Sequence, residues 1–190
     1  MNKILTTGRG AVSDGMDTNA NEKLTKLLNN ATKTLIIYFS RSGNTEKQAK
    51  IAQGFLNADI FELSVKNSYP SNYTQTVNRS TDERESQVWP ELQSKIPNLN
   101  KYDTILLGHP IWAMTIANPM REFLEEYGEL LANKKVASFS TNAGYGSGET
   151  QRVISELTPN STKILNNYSV QDIHARKDQV NFINWLEEIK

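Results

Sequence analysis

Two hydrophobic patterns alternate along most of the chain. Thr34-Leu-Ile-Ile-Tyr-Phe39 is a continuous apolar run, β-branched and aromatic, and predicts a strand. Ala58-Asp-Ile-Phe-Glu-Leu63 alternates and predicts a second. Asp103–Gly108 and Lys135–Ser140 predict a third and a fourth, and a weaker fifth falls within Lys163–Val170. Between them the period becomes helical. Ala52, Phe55 and Leu56 predict a helix over 44–56. Met120, Phe123, Leu124 and Tyr127 predict another, with Asn118 as N-cap and Pro119 at its first position. A helix over 148–157 stops before Pro159, and Phe182, Trp185, Leu186 and Ile189 mark a last one. Strands that are almost wholly apolar and alternate with helices imply an α/β fold, a parallel sheet covered on both faces.

Two stretches break the alternation. Residues 1–33 read as a flexible polar arm, and 34–190 as the folded domain. From Thr6 to Glu22 the arm is rich in Gly, Ser, Thr, Asn and Asp, too polar to offset the entropy of ordering. Leu24, Leu27 and Leu28 suggest a short amphipathic turn. The first residues lack the apolar run of a signal peptide, which favours a cytoplasmic protein. The second stretch, 64–101, is polar and punctuated by Pro70, Pro90 and Pro97, with a helix expected around 78–95. A long strand-free segment of this kind is commonly functional.

Composition narrows the chemistry. The 190 residues hold 21 Lys+Arg and 21 Asp+Glu, and this net charge of zero argues against a nucleic-acid reader. No Cys is present, so disulfides, thiolate metal sites and a cysteine nucleophile are excluded, and two His make a His-rich metal centre unexpected. No catalytic side chain and no metal ligand set stand out. No run of 18 apolar residues suggests a membrane span.

Three loops carry candidate chemistry, and each follows a strand, the edge where open parallel sheets bind ligands. Ser40-Arg-Ser-Gly-Asn-Thr45 joins a strand to a helix N-terminus, where unpaired N–H groups and the helix dipole favour an anion. Ser40, Ser42 and Thr45 supply hydroxyls, and Gly43 allows close approach. The loop lacks the Lys-Ser/Thr ending of a nucleoside-triphosphate loop and suits a phosphate monoester. Gly108-His-Pro-Ile-Trp-Ala-Met-Thr115 presents Trp112, whose flat face suits a planar ring unless it merely caps the sheet edge. Thr141-Asn-Ala-Gly-Tyr-Gly-Ser-Gly148 frees backbone groups to meet a ligand edge, with Tyr145 as a second ring face. In the polar segment Tyr69, Tyr73 and Trp89 either line the ring's exposed side or pack on a helix.

In order and spacing these loops resemble those of the flavodoxin family. Phe39-Ser-Arg-Ser-Gly-Asn-Thr45 is similar to the family's FMN-phosphate loop, Tyr102-Asp103 with Gly108–Trp112 to its second FMN loop, and Phe139–Gly146 to its third. The resemblance spans about 34–190. It implies a doubly wound five-stranded parallel sheet in the order 2-1-3-4-5. It further implies FMN bound through Ser40, Arg41, Ser42, Gly43, Asn44 and Thr45 at the phosphate. Pro110, Ile111, Trp112 and Ala113 would flank the ring, and Thr141, Asn142, Ala143, Gly144, Tyr145 and Gly146 its polar edge. The implied function is electron transfer with redox partner proteins or a small-molecule acceptor. The alternative is an FMN-dependent NAD(P)H:quinone-type oxidoreductase. Three features depart from the family's shuttles. Arg41 places a charge in the phosphate loop, where it pairs with phosphate or faces water. The chain is neutral rather than acidic. Ala113 and Met114 stand where shuttles often place a glycine.

Overall fold

The computed structural model describes residues 5–7, 11–13, 24–29, 31–172, 174–175 and 178–190. In chain order the elements are β1 (Leu5–Thr7), β2 (Ala11–Ser13), β3 (Lys26–Leu27), β4 (Thr34–Tyr38), α1 (Asn44–Leu56), β5 (Asp59–Glu62) and α2 (Tyr73–Ser86). There follow β6 (Thr104–Trp112), β7 (Thr115–Ile116), α3 (Asn118–Tyr127), β8 (Lys135–Asn142), α4 (Thr150–Glu156), β9 (Lys163–Ile164), β10 (Tyr168–Gln171) and α5 (Gln179–Ile189). β1 and β2 pair with each other.

The main sheet runs β10-β8-β6-β4-β5-β3. Its five long-range parallel strands, β5-β4-β6-β8-β10, correspond to 2-1-3-4-5 in order of the strands read from sequence. The sheet is larger than five strands, because β3 adds an antiparallel edge, β7 folds back on β6, and β9 pairs with β8. The fifth strand expected within 163–170 is thus split into β9 and β10.

β4 is central, so both of its faces are buried. Leu35 and Ile37 enter the core beneath α3 and α4, with Ile105, Leu107, Met120, Phe123, Leu124 and Val153. Ile36 and Tyr38 enter the opposite core, with Ala49, Ala52, Phe139, Phe182, Trp185 and Leu186 of α1, β8 and α5. Strand alternation therefore feeds two cores from one apolar run.

Three further expectations are corrected. The polar-segment helix lies at Tyr73–Ser86, not 78–95, because Asn72 caps its start by accepting the Gln75 N–H. Gln87 then ends it in the left-handed region (φ 55°). Asn118 is the first helical residue of α3 and Ala117 holds the cap position, leaving Pro119 second.

The arm does not end at residue 33 as a unit. Residues 24–29 dock on the sheet, and Lys26–Leu27 form a strand, not the turn expected of Leu24, Leu27 and Leu28. They cover the β5 edge, pairing Lys26 with Phe61 and Leu27 with Ile60. β5 carries two buried carboxylates, and this segment helps satisfy both. The Thr25 N–H donates to Glu62 Oε2 (2.8 Å) and the Asn29 N–H to Asp59 Oδ1 (3.0 Å). Tyr38 and Tyr102 hydroxyls complete the two sites. Most of the stretch expected to be flexible, 14–23, lies outside the described residues.

Candidate functional site

The carboxyl ends of β4, β6 and β8 lie side by side, and the chain reverses direction across the sheet between β4 and β6. After β4 it continues to β5 on one flank, then crosses to β6 on the other. Such a switch point opens a crevice above the strand ends.

The first loop leaves β4 through buried Ser40, whose Oγ accepts the Gly43 N–H (3.1 Å). Gly43 then takes φ 85°, a conformation costly for a side-chain-bearing residue, and α1 begins immediately. No side chain caps α1. Its first-turn N–H groups therefore have no side-chain acceptor, as an anion site requires. Thr45 turns inward, and its hydroxyl shares a buried 2.8 Å hydrogen bond with that of Thr141. Ser40 and Thr45 are thus occupied within the protein, while Ser42 and Asn44 stay half-exposed. Arg41 takes a third course beside the two expected of it. Its Nη2 donates to the carbonyls of Pro70 (3.2 Å) and Ser71 (2.8 Å).

The second loop is largely strand. β6 continues to Trp112, so Pro110, Ile111 and Trp112 are held in register instead of forming the expected loop. Ile111 pairs with Ile116 and Trp112 with Thr115 across a two-residue turn. Both turn residues are left-handed, Ala113 at φ 48° and Met114 at φ 66°. A type I′ hairpin needs this geometry and ordinarily fills it with Asn-Gly. Trp112 is half-buried. Its indole stands edge-on to Phe39 (5.6 Å, 87°) and Tyr69 (4.9 Å, 78°). His109, just before, is fully buried and directs Nδ1 at the Pro110 carbonyl (3.1 Å), while Nε2 has no hydrogen-bond partner. Burial pushes its pKa down to about 4, so it is neutral at physiological pH.

The third loop is curled by Asn142. Its Oδ1 accepts the N–H groups of Gly144 (2.7 Å) and Gly146 (3.2 Å), and its Nδ2 donates to Ser169 Oγ (2.9 Å). Thr141 and Asn142 therefore shape the loop, and Ala143, Gly144, Tyr145 and Gly146 form its rim. Tyr145 is exposed. The loop locks onto the hairpin tip, where the Glu149 N–H donates to the Met114 carbonyl (2.8 Å). Gly148 sits so close to that carbonyl that a Cβ would come within 2.0 Å of its oxygen.

Of the three aromatics in the polar segment, Tyr69 alone makes a ring contact with Trp112. Arg121 lies 5.2 Å over Trp89 instead, and Tyr73 opens α2. Sequence reasoning missed Arg79, Glu83 and Asn118, which join Tyr69 in one polar cluster. Their signal was faint: an i,i+4 Arg–Glu pair on a polar helix.

A sequence profile described as flavodoxin matches residues 33–189. The chain belongs to the flavodoxin family. A flavoprotein from Lactobacillus acidophilus NCFM, solved in complex with FMN, is 27% identical and superposes with a TM-score of 0.65 over 77% of this chain and 98% of its own. The apo-form of the flavoprotein from that organism, solved by NMR, is 28% identical with a TM-score of 0.56. It covers 77% of this chain and 97% of its own. A protein from Bacteroides eggerthii DSM 20697, assigned as a flavoprotein, is 25% identical with a TM-score of 0.70, covering 83% and 97%.

Proposed function

We propose that this flavodoxin-family protein binds FMN and transfers electrons between redox partners. The observation that carries the reading is the convergence of an uncapped helix N-terminus at Gly43 with Trp112 and the Asn142–Gly146 rim at one sheet edge. The donor set fits the cofactor. Ser42 and the N–H groups of Asn44 and Thr45 would hold the phosphate, with Gly43 allowing its close approach, Pro110–Ala113 would flank the ring, and the Asn142–Gly146 backbone its polar edge. The FMN-bound relative from L. acidophilus supports the choice of flavin.

When bound, FMN supplies one- or two-electron redox chemistry. The chain's own part is to bind and orient. Trp112 excludes water from one side. The third loop, its curl fixed by Asn142, would present its polar backbone rim to the ring's edge without reorganising. Titrating purified protein with FMN tests the reading: perturbed flavin absorption bands are expected. Affinity should fall in both Ser42→Ala and Trp112→Ala; no effect in either variant refutes the pocket.

One observation favours a second reading, an FMN-dependent reductase acting from NAD(P)H on a quinone-type acceptor. Tyr69, in the long polar segment, packs against Trp112, and the chain has no net charge to steer a protein partner. Turnover of NAD(P)H with quinones by the purified protein alone selects this reading. Reduction only through an added reductase selects the carrier. A cytoplasmic location accords with either; among the described residues no helix is long and apolar enough to cross a membrane.

A further inference from the structure

We infer that Glu83 is a positioning residue for Trp112, acting through Tyr69 and through the hairpin that carries the indole; the inference builds on the proposed flavin site. Two rings meet Trp112, Phe39 and Tyr69. Phe39 leaves the end of β4 and is fixed by the sheet, its N–H donating to the Gly108 carbonyl (2.9 Å). Tyr69 belongs to neither strand nor helix. Its hydroxyl donates to Glu83 Oε2 at 2.5 Å, and the Arg79 guanidinium lies 4.1 Å over its ring.

The same carboxylate reaches the hairpin. Asn118 Nδ2 donates to Glu83 Oε2 (2.7 Å), and Asn118 begins α3 one residue after β7 is left behind. β7 is the strand that pairs with the Trp112 end of β6. Oε1 accepts from Arg79 Nε (2.8 Å), and Arg79 Nη1 holds the carbonyls of Asn67 and Ser68 at the base of the Tyr69 loop. Three donors therefore converge on two oxygens. A carboxylate alone among side chains offers two acceptors and no donor. The Glu83 side chain is only 12% exposed, so these bonds face little competition from water.

The test uses the full-length protein, FMN, and the Trp112 indole N–H resonance, assigned with Trp112→Phe. Glu83→Gln puts an NH2 group against a donor on whichever side it turns. It should shift the indole resonance in FMN-free protein and weaken FMN binding about tenfold. Tyr69→Phe keeps the ring but frees it from Glu83, and should do the same to about threefold. Glu85→Gln, exposed on the same helix, should change neither. A merely stabilising Glu83 would lower Tm but leave resonance and affinity as in the wild type; a folded Glu83→Gln protein behaving so overturns the inference. If Glu83→Gln does not fold, Tyr69→Phe decides, and an unchanged resonance there overturns it equally. If the wild type takes up no FMN, the cofactor reading fails, and the indole resonance still decides the role of Glu83.

Discussion

The two sides of the proposed flavin site are built differently. The phosphate side is made by consecutive residues: Ser40 accepts from Gly43, Gly43 starts α1, and one long-range bond, Thr45 to Thr141, pins the helix to β8. The ring side is made by distant ones. Trp112 rests on Phe39 and Tyr69, Tyr69 on Glu83, Glu83 on Asn118, and the hairpin tip on Gly148 and Glu149. A local motif suffices to present backbone N–H groups to an anion, because the helix does most of the aiming. A ring platform has no such scaffold and must be assembled from several segments.

The difference predicts that the ring side breaks more severely at its joints. The largest effect is expected at Gly148. Its φ of 50° disfavours a side chain, and an alanine Cβ would strike the Met114 carbonyl. Gly148→Ala should cost about 4 kcal/mol in urea unfolding, from the strained dihedral plus displacement of backbone. A loss under about 1 kcal/mol would mean that the hairpin and third loop are only loosely joined.

His109, buried beside the hairpin, makes the ring side sensitive to acid. Its folded pKa of about 4 lies below the unfolded value of about 6.5, so the unfolded chain binds more protons between them. Its contribution to stability is complete above the unfolded value. It is lost as pH falls toward the folded one, by about 3 kcal/mol in all. Unfolding measured from pH 7 to pH 4 should show this slope, and His109→Gln should flatten it. An unchanged slope in the variant would assign acid sensitivity to other groups.

On the phosphate side, Thr45→Val should cost about 2 kcal/mol. The isosteric change leaves the Thr141 hydroxyl buried without its partner. Paired with Thr141→Val the loss should be largely recovered, since removing both partners leaves nothing unsatisfied. Full additivity in that double-mutant cycle would show the two hydroxyls to be uncoupled.

The same contrast governs what the sequence discloses. The strands of the sheet centre are legible because burial on both faces turns them into apolar runs, as in Thr34–Tyr38. α1, α3 and α5 are legible because each turns a periodic apolar stripe to a core. α2 is legible only as a helix somewhere in its segment, because the residues it buries, Thr76 and Ser80, are polar and no apolar periodicity fixes its bounds. β3 is invisible for another reason: Lys26 and Leu27 are exposed, and only pairing with β5 makes them a strand. At the site, the three loops stand out by their glycines and hydroxyls. The Tyr69–Glu83–Asn118 cluster does not, since Glu83 and Asn118 meet across 35 residues and carry no spacing rule.

The smallest predicted effect has the opposite sign. Ala113 and Met114 both occupy the left-handed region in the turn beside Trp112, where each side chain costs free energy that glycine would not. Ala113→Gly relieves one of these positions but also gives the unfolded chain more freedom. The net gain should be about 0.5 kcal/mol, visible as a small rise in the urea midpoint with unchanged slope. If the strain serves only the turn, FMN affinity should stay put. If affinity falls while stability rises, the left-handed pair is holding the hairpin, and Trp112 with it, in a geometry that a relaxed turn abandons. Ala113 would then belong with Glu83 among the residues that set the platform, and the ring side would be strained as well as assembled.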